Sequence, residues 1–222
     1  MAMTRTKRSV ILDMDGFECS REDLKLKYHD YTAFLAWKSG SWMRPKLEVP
    51  LWDENYDRFF FPIEISWSYF LEQDLMPCRH LFAFPFKYND LTGSGKWKLF
   101  HLLTTDILPE YDKIFSMKSK GYKSVSAYNN TSMMLELSSN FIYYKGGHYE
   151  RSVARALGLP SQNLEEYGVP KLEQTSKYIE MDTVVCPLHE KENPHCPMVE
   201  VMAHNNYMKR NNIIPKPDLY MD

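Results

Sequence analysis

RSVILDMDGF, residues 8–17, is the stretch on which the fold turns. Val10, Ile11 and Leu12 are β-branched or aliphatic and predict a buried strand over 8–13 that ends in acid. Asp13 and Asp15 are two apart, so an extended chain carries both carboxylates on one face. Oxygen donors that converge this way suit a hard divalent cation. A strand running into a polar turn would carry the same residues, and the pair alone does not separate the two readings.

Working outward, FFFPIEISWSYF at 59–70 predicts a second strand, with Ile63, Ile65 and Trp67 alternating against Glu64, Ser66 and Ser68. Glu64 then faces solvent, or lies buried and requires a cation. Residues 30–52, which include RPKLEVP, read as a turn or extended connection. Gly93-Ser94-Gly95 reads as a flexible turn, because the Gly-x4-Gly-Lys-Ser/Thr pattern of a phosphate loop is missing. The residues after it predict a helix with Leu99, Leu102, Leu103 and Ile107 on one face. NFIYYKGGHYERSVARALGLP, 140–160, predicts a strand over Phe141–Tyr144 and a tight turn at Lys145-Gly146-Gly147. A helix then starts at Glu150, turns Val153, Leu157 and Leu159 inward, and is closed by Gly158 and Pro160. HCPMVEVMAHNNYMKR, 195–210, predicts the last helix. The order is that of an α/β domain over 8–210, a mixed sheet flanked by helices, with terminal tails at 1–7 and 211–222.

The charges nearly cancel: 27 basic and 29 acidic residues leave a formal charge of −2. A basic coat for nucleic acid is thereby excluded, and any such contact must use a local patch. Lys118, Lys120 and Lys123 around Tyr122 are the candidate, with Lys145, Arg151 and Arg155 able to add phosphate contacts. A solvated surface would have the same composition. The short apolar run near the N-terminus does not match a secretory leader, and no run reaches the roughly 20 residues of a membrane span. The expected location is intracellular, cytoplasmic or nuclear, with no membrane partner.

VCPLHEKENPHCPMVEVMAHNNY, 185–207, holds Cys186, His189 and Cys196 in a C-x2-H-x6-C cluster. That spacing suits a structural zinc better than a disulfide, with a carboxylate or His204 as fourth ligand. Ordinary buried cysteines and histidine are the alternative. His195 and Glu200 form an overlapping H-x4-E pair.

These motifs resemble two related families. Asp13 and Asp15, Glu150 in the strand–turn–helix unit, and His195 with Glu200 resemble the acids and closing histidine of DEDDh 3′–5′ exonucleases, although Glu150 and Glu200 stand where that family has Asp. The resemblance implies an RNase H-like fold, Mg²⁺ or Mn²⁺ held by the carboxylates, and His195 as general base. Glu64, Cys186, His189 and Cys196 resemble the Glu-Cys-His-Cys zinc set of the Maelstrom domain, over roughly residues 8–210. That resemblance implies a structural Zn²⁺, single-stranded RNA binding, RNA cleavage independent of the DEDDh acids, and partners in piRNA-directed transposon silencing. A non-enzymatic, zinc-stabilised interaction module is the third expectation.

Overall fold

The computed structural model describes residues 8–25, 51–53, 58–70, 77–82, 84, 86–105, 122–123, 141–179 and 196–214. In chain order the elements are β1 (Ser9–Ser20), β2 (Leu51–Asp53), β3 (Arg58–Tyr69), β4 (Cys78–Phe82), α1 (Gly93–Thr105), β5 (Tyr122–Lys123), β6 (Phe141–Tyr144), α2 (His148–Ala156), β7 (Ser161–Asn163), α3 (Leu172–Thr175) and α4 (Pro197–Arg210). Short 3-10 turns at Arg21–Asp23, Tyr88–Asp90, Leu164–Tyr167 and Ser176–Tyr178 link them.

The strands form one mixed α/β sheet in the order β5-β4-β3-β1-β6-β7, with β2 also on β3. β1 is antiparallel to β3 and parallel to β6, and β7 runs parallel to β6. The acid-bearing strand therefore lies inside the sheet. It is also longer than its apolar core predicts, because it continues through Asp13–Phe17 instead of turning there.

A bulge between Asp15 and Gly16 explains how one strand serves two surfaces. Before it, Asp13 pairs with Ser66 and Asp15 with Glu64; after it, Gly16 pairs with Pro62 and Glu18 with Phe60. Directly opposed residues of an antiparallel pair share a face. Asp13, Asp15, Gly16 and Glu18 thus line one side with Ser66, Glu64, Pro62 and Phe60. The other side holds Leu12, Met14, Phe17 and Cys19 with Phe59, Phe61, Ile63, Ile65 and Trp67, all buried. Phe84, Phe86 and Leu99 join this same apolar cluster. Each such side chain contributes roughly 1.5–3 kcal/mol by leaving water.

Gly16 is required by close approach. A Cβ there would strike the Phe61 carbonyl oxygen and come within 2.7 Å of the Phe60 ring. Backbone cannot move aside as a side-chain tip can, so Gly16→Ala is expected to cost about 3 kcal/mol. A matching fall in the urea midpoint with an unchanged slope checks this.

α1 starts at Gly93, so Gly93-Ser94-Gly95 is its first turn and not a loose linker. The reason is a buried anchor, Asp23, which is 1 % exposed. Its carboxylate accepts from the Ser20 amide at 2.7 Å and the Ser20 hydroxyl at 2.9 Å. Across the chain it accepts from Ser94 Oγ at 2.7 Å and Lys98 Nζ at 2.6 Å. Burial pushes the Asp23 carboxyl up, but the bonds from Lys98, Ser94 and Ser20 together hold it below its usual range. Of the predicted helix face, Leu99 is buried and Leu102 partly so; Ile107 and the Leu103 side chain lie outside the described residues.

α4 lies along β3 on the acid side. Ser68 Oγ donates to the Val201 carbonyl at 3.3 Å, and Asn205 Nδ2 donates to the Tyr69 carbonyl at 2.9 Å. Val201 and Met208 complete a second apolar cluster with Ile11, Tyr143 and Leu164. No described helix is long and apolar enough to cross a membrane.

Candidate functional site

The parallel pairing of β1 with β6 ends at Leu12↔Tyr144. Beyond that pair β6 leaves the sheet through Lys145-Gly146-Gly147, and α2 begins at His148. Glu150 is therefore the third residue of the helix, not its start. Its own backbone and that of Met14 on β1 act to lower its pKa, against burial. The first turn of a helix favours a negative group, so α2 delivers a carboxylate to the edge that β6 vacates. Gly147 is what lets it fold back: a Cβ at 147 would occupy the position of the Glu150 carboxylate. Glu150 is 6 % exposed, and its Oε2 has no hydrogen-bond partner among the described residues.

Glu200 reaches the same place from the first turn of α4. Four carboxylates from three elements then feel one another. Asp13 is raised well above the usual carboxylate range, by burial first and then by the charges of Glu200, Glu150 and Asp15. Burial and Asp15 push Glu150 up to about 7. Burial, Asp15, Glu150 and Glu173 push Glu200 up to about 8. Glu64 adds a fifth carboxyl on this side, opposite Asp15; it is 0 % exposed and accepts from Ser66 Oγ at 3.1 Å. The solvent-facing alternative for Glu64 is thereby corrected. Its strand is covered on both faces, which single-strand alternation does not reveal.

One member of this neighbourhood was not expected as such. His204 follows Glu200 by one helical turn, on the same face of α4. It is 1 % exposed, and its Nε2 stands 4.0 Å from Glu200 Oε2. Burial, with a smaller push from the Lys145 charge, lowers its pKa to about 4, so the ring is neutral near pH 7. The signal was present as an i, i+4 Glu–His pair, but counting Cys and His spacings assigned His204 only as a rival zinc ligand.

Of the other predicted residues, Cys196 is buried and caps the N-terminus of α4. Cys186, His189 and His195 lie outside the described residues, as do Lys118 and Lys120. No disulfide joins two of the described cysteines. Lys145 donates to Glu165 Oε1 at 2.7 Å. Arg151 and Arg155 are exposed one turn apart on α2. Lys123 lies in β5, at the opposite end of the sheet from β6 and β7. Lys123 and Lys145, which follows β6, are therefore separated by the strands between β5 and β6.

Among the described residues no three His, Cys, Asp or Glu side chains form a group that could hold a metal ion as they stand. The arrangement can instead offer one or two carboxyl oxygens to a cation whose other positions are filled by water and phosphate, the habit of Mg²⁺-type sites. No family model, curated protein or solved structure matches the chain.

Proposed function

We propose that this protein is a divalent-metal-dependent nuclease acting on single-stranded RNA, with an RNase H-like sheet. The observation that carries the reading is the convergence of Asp13 and Asp15 from β1, Glu150 from α2 and Glu200 from α4 on one side of the sheet. Carboxyls that raise one another's pKa under burial are costly without a cation. The partnerless Glu150 Oε2 fits such a ligand. One or two of the Asp13, Asp15, Glu150 and Glu200 carboxyls would hold Mg²⁺ or Mn²⁺, which supplies an activated water and neutralises phosphate charge. Arg151 and Arg155, exposed on the helix that carries Glu150, would meet the RNA backbone. A net charge of −2 makes that patch, and not the whole surface, the source of affinity.

A specific observation favours a Maelstrom-like zinc set beside it. Asn205 lies at Ser68 and Tyr69. Val201, one turn back along α4, lies at Ser68 as well. Cys196 precedes this helix and is buried, as Glu64 is. In this reading Glu64 and Cys196 join Cys186 and His189 around a structural Zn²⁺ and the domain serves small-RNA silencing. The two sites are compatible, because Glu64 and Glu200 approach from different elements.

End-labelled single-stranded RNA with Mn²⁺ or EDTA tests the proposal. Cleavage that needs Mn²⁺ and is lost in Asp13→Asn supports the acid face, and laddering from the 3′ end identifies an exonuclease. Cleavage indifferent to both overturns it in favour of a route that does not use these acids. Absence of both RNA binding and cleavage leaves an interaction module.

A further inference from the structure

We infer that His204 is a nitrogen ligand of the acid-face cation, paired with Glu200, so that the site takes a borderline transition ion such as Mn²⁺ or Zn²⁺ in preference to Mg²⁺. The inference rests on the metal-site reading above and adds a residue and an ion class to it.

The argument starts at Thr175 on α3. Its hydroxyl donates to the Leu172 carbonyl at 3.3 Å. A hydroxyl has one proton to give; with that proton on the Leu172 carbonyl, the 3.4 Å contact between Thr175 Oγ1 and His204 Nδ1 is open to the ring as donor. In that tautomer the proton sits on Nδ1 and the lone pair on Nε2. Nε2 is buried and has no hydrogen-bond partner among the described residues. The group in front of it is the Glu200 carboxyl, at 4.0 Å.

That distance is too long for a hydrogen bond. Two ligands of one ion, with bonds of about 2.0–2.2 Å, stand roughly 3.0–3.5 Å apart at octahedral or tetrahedral angles, so the pair must close by somewhat under about 1 Å. A small rotation of Glu200 brings both donors onto an ion between them. The Nδ1–H held by an oxygen acceptor is the support that ligating histidines usually carry behind them. Imidazole nitrogen favours transition ions, whereas Mg²⁺ favours oxygen alone. Two protein ligands are enough where water and phosphate complete the shell.

The test is pulsed electron paramagnetic resonance of Mn²⁺ titrated into the full chain without RNA. A ¹⁴N coupling that becomes a ¹⁵N coupling on histidine-specific labelling is expected, and it should vanish in His204→Gln. If His204→Gln does not fold, Glu200→Gln, on the less buried partner, should lose the same coupling. Bound Mn²⁺ without nitrogen coupling overturns the role of His204 and leaves the carboxylate site standing. Coupling that persists in folded His204→Gln also overturns it, by assigning the nitrogen elsewhere. No bound Mn²⁺ at all overturns both readings.

Discussion

Glu200→Gln is expected to stabilise the metal-free protein at pH 8 while lowering Mn²⁺-dependent RNA cleavage at least about a hundredfold, since even groups behind a metal ligand carry roughly 10–100-fold. The stability half follows from linkage. Glu200 ionises near pH 4.5 when unfolded, but the fold pushes it up to about 8. Between those values the folded chain holds a proton that the unfolded chain has released. Folding is therefore progressively disfavoured as pH rises from about 4.5 to 8, and unaffected by this group below that window. The full shift is worth about 1.4 kcal/mol per pH unit. Because Asp15 and Glu150 share it, a gain on the order of 2–4 kcal/mol is expected for the amide at pH 8, and almost none at pH 4. Urea unfolding of both proteins across that range, in EDTA, reads the difference directly. A variant no more stable than the parent at pH 8 would sink the account of mutual repulsion. Saturating Mn²⁺ should flatten the parent's pH slope, because a cation that binds only the folded site adds its own stabilisation.

The second large effect lies on the opposite side of the sheet. Asp23→Ala is expected to cost about 3–5 kcal/mol, because one amide and two hydroxyls lose their acceptor at roughly 1–3 kcal/mol each where they stay buried. Ser20, Ser94 and Lys98 would all lose their acceptor at once. Lys98 is 43 % exposed and can turn to water, so most of the cost falls on the amide and hydroxyls. The Asp23 carboxyl is held below its usual range. Its contribution is therefore present at neutral pH and is lost as pH falls through that lowered value. Thermal melts at pH 7 should show a fall of about 6–20 °C for a chain of this size. A change of under 1 kcal/mol would mean that α1 is held by its apolar face alone.

How far the sequence could be read depended on what each residue's neighbours supplied. Phe141–Tyr144 and the turn after it were legible because an aromatic run and paired glycines leave few alternatives. β1 was read too short. Acids that alternate along a strand look like its end when the helices that will cover them are unknown. Gly93-Ser94-Gly95 was read as a turn because composition alone cannot show that Asp23, far back in the chain, holds Ser94 inside a helix. The acid set was legible by residue type and order. His204 was not, because its role depends on Thr175 fixing a proton, and α3 carries no sequence signal that points there. Of the basic residues, Lys123 in β5 and Lys145 after β6 are set apart by the strand order, which sequence spacing does not reveal.

The bulge at Asp15 and Gly16 behaves like a shift of reading frame written in side chains. Upstream, odd-numbered residues of β1 face the acids and even-numbered ones the core; downstream the parity is reversed. A single insertion or deletion between Ser9 and Asp15 therefore exchanges Leu12 with Asp13, while the same event after Gly16 exchanges Phe17 with Glu18. Neither error can be repaired by sliding the whole strand, since the two halves answer to different frames. The irregularity that places the acids also locks β1 against β3 in one register.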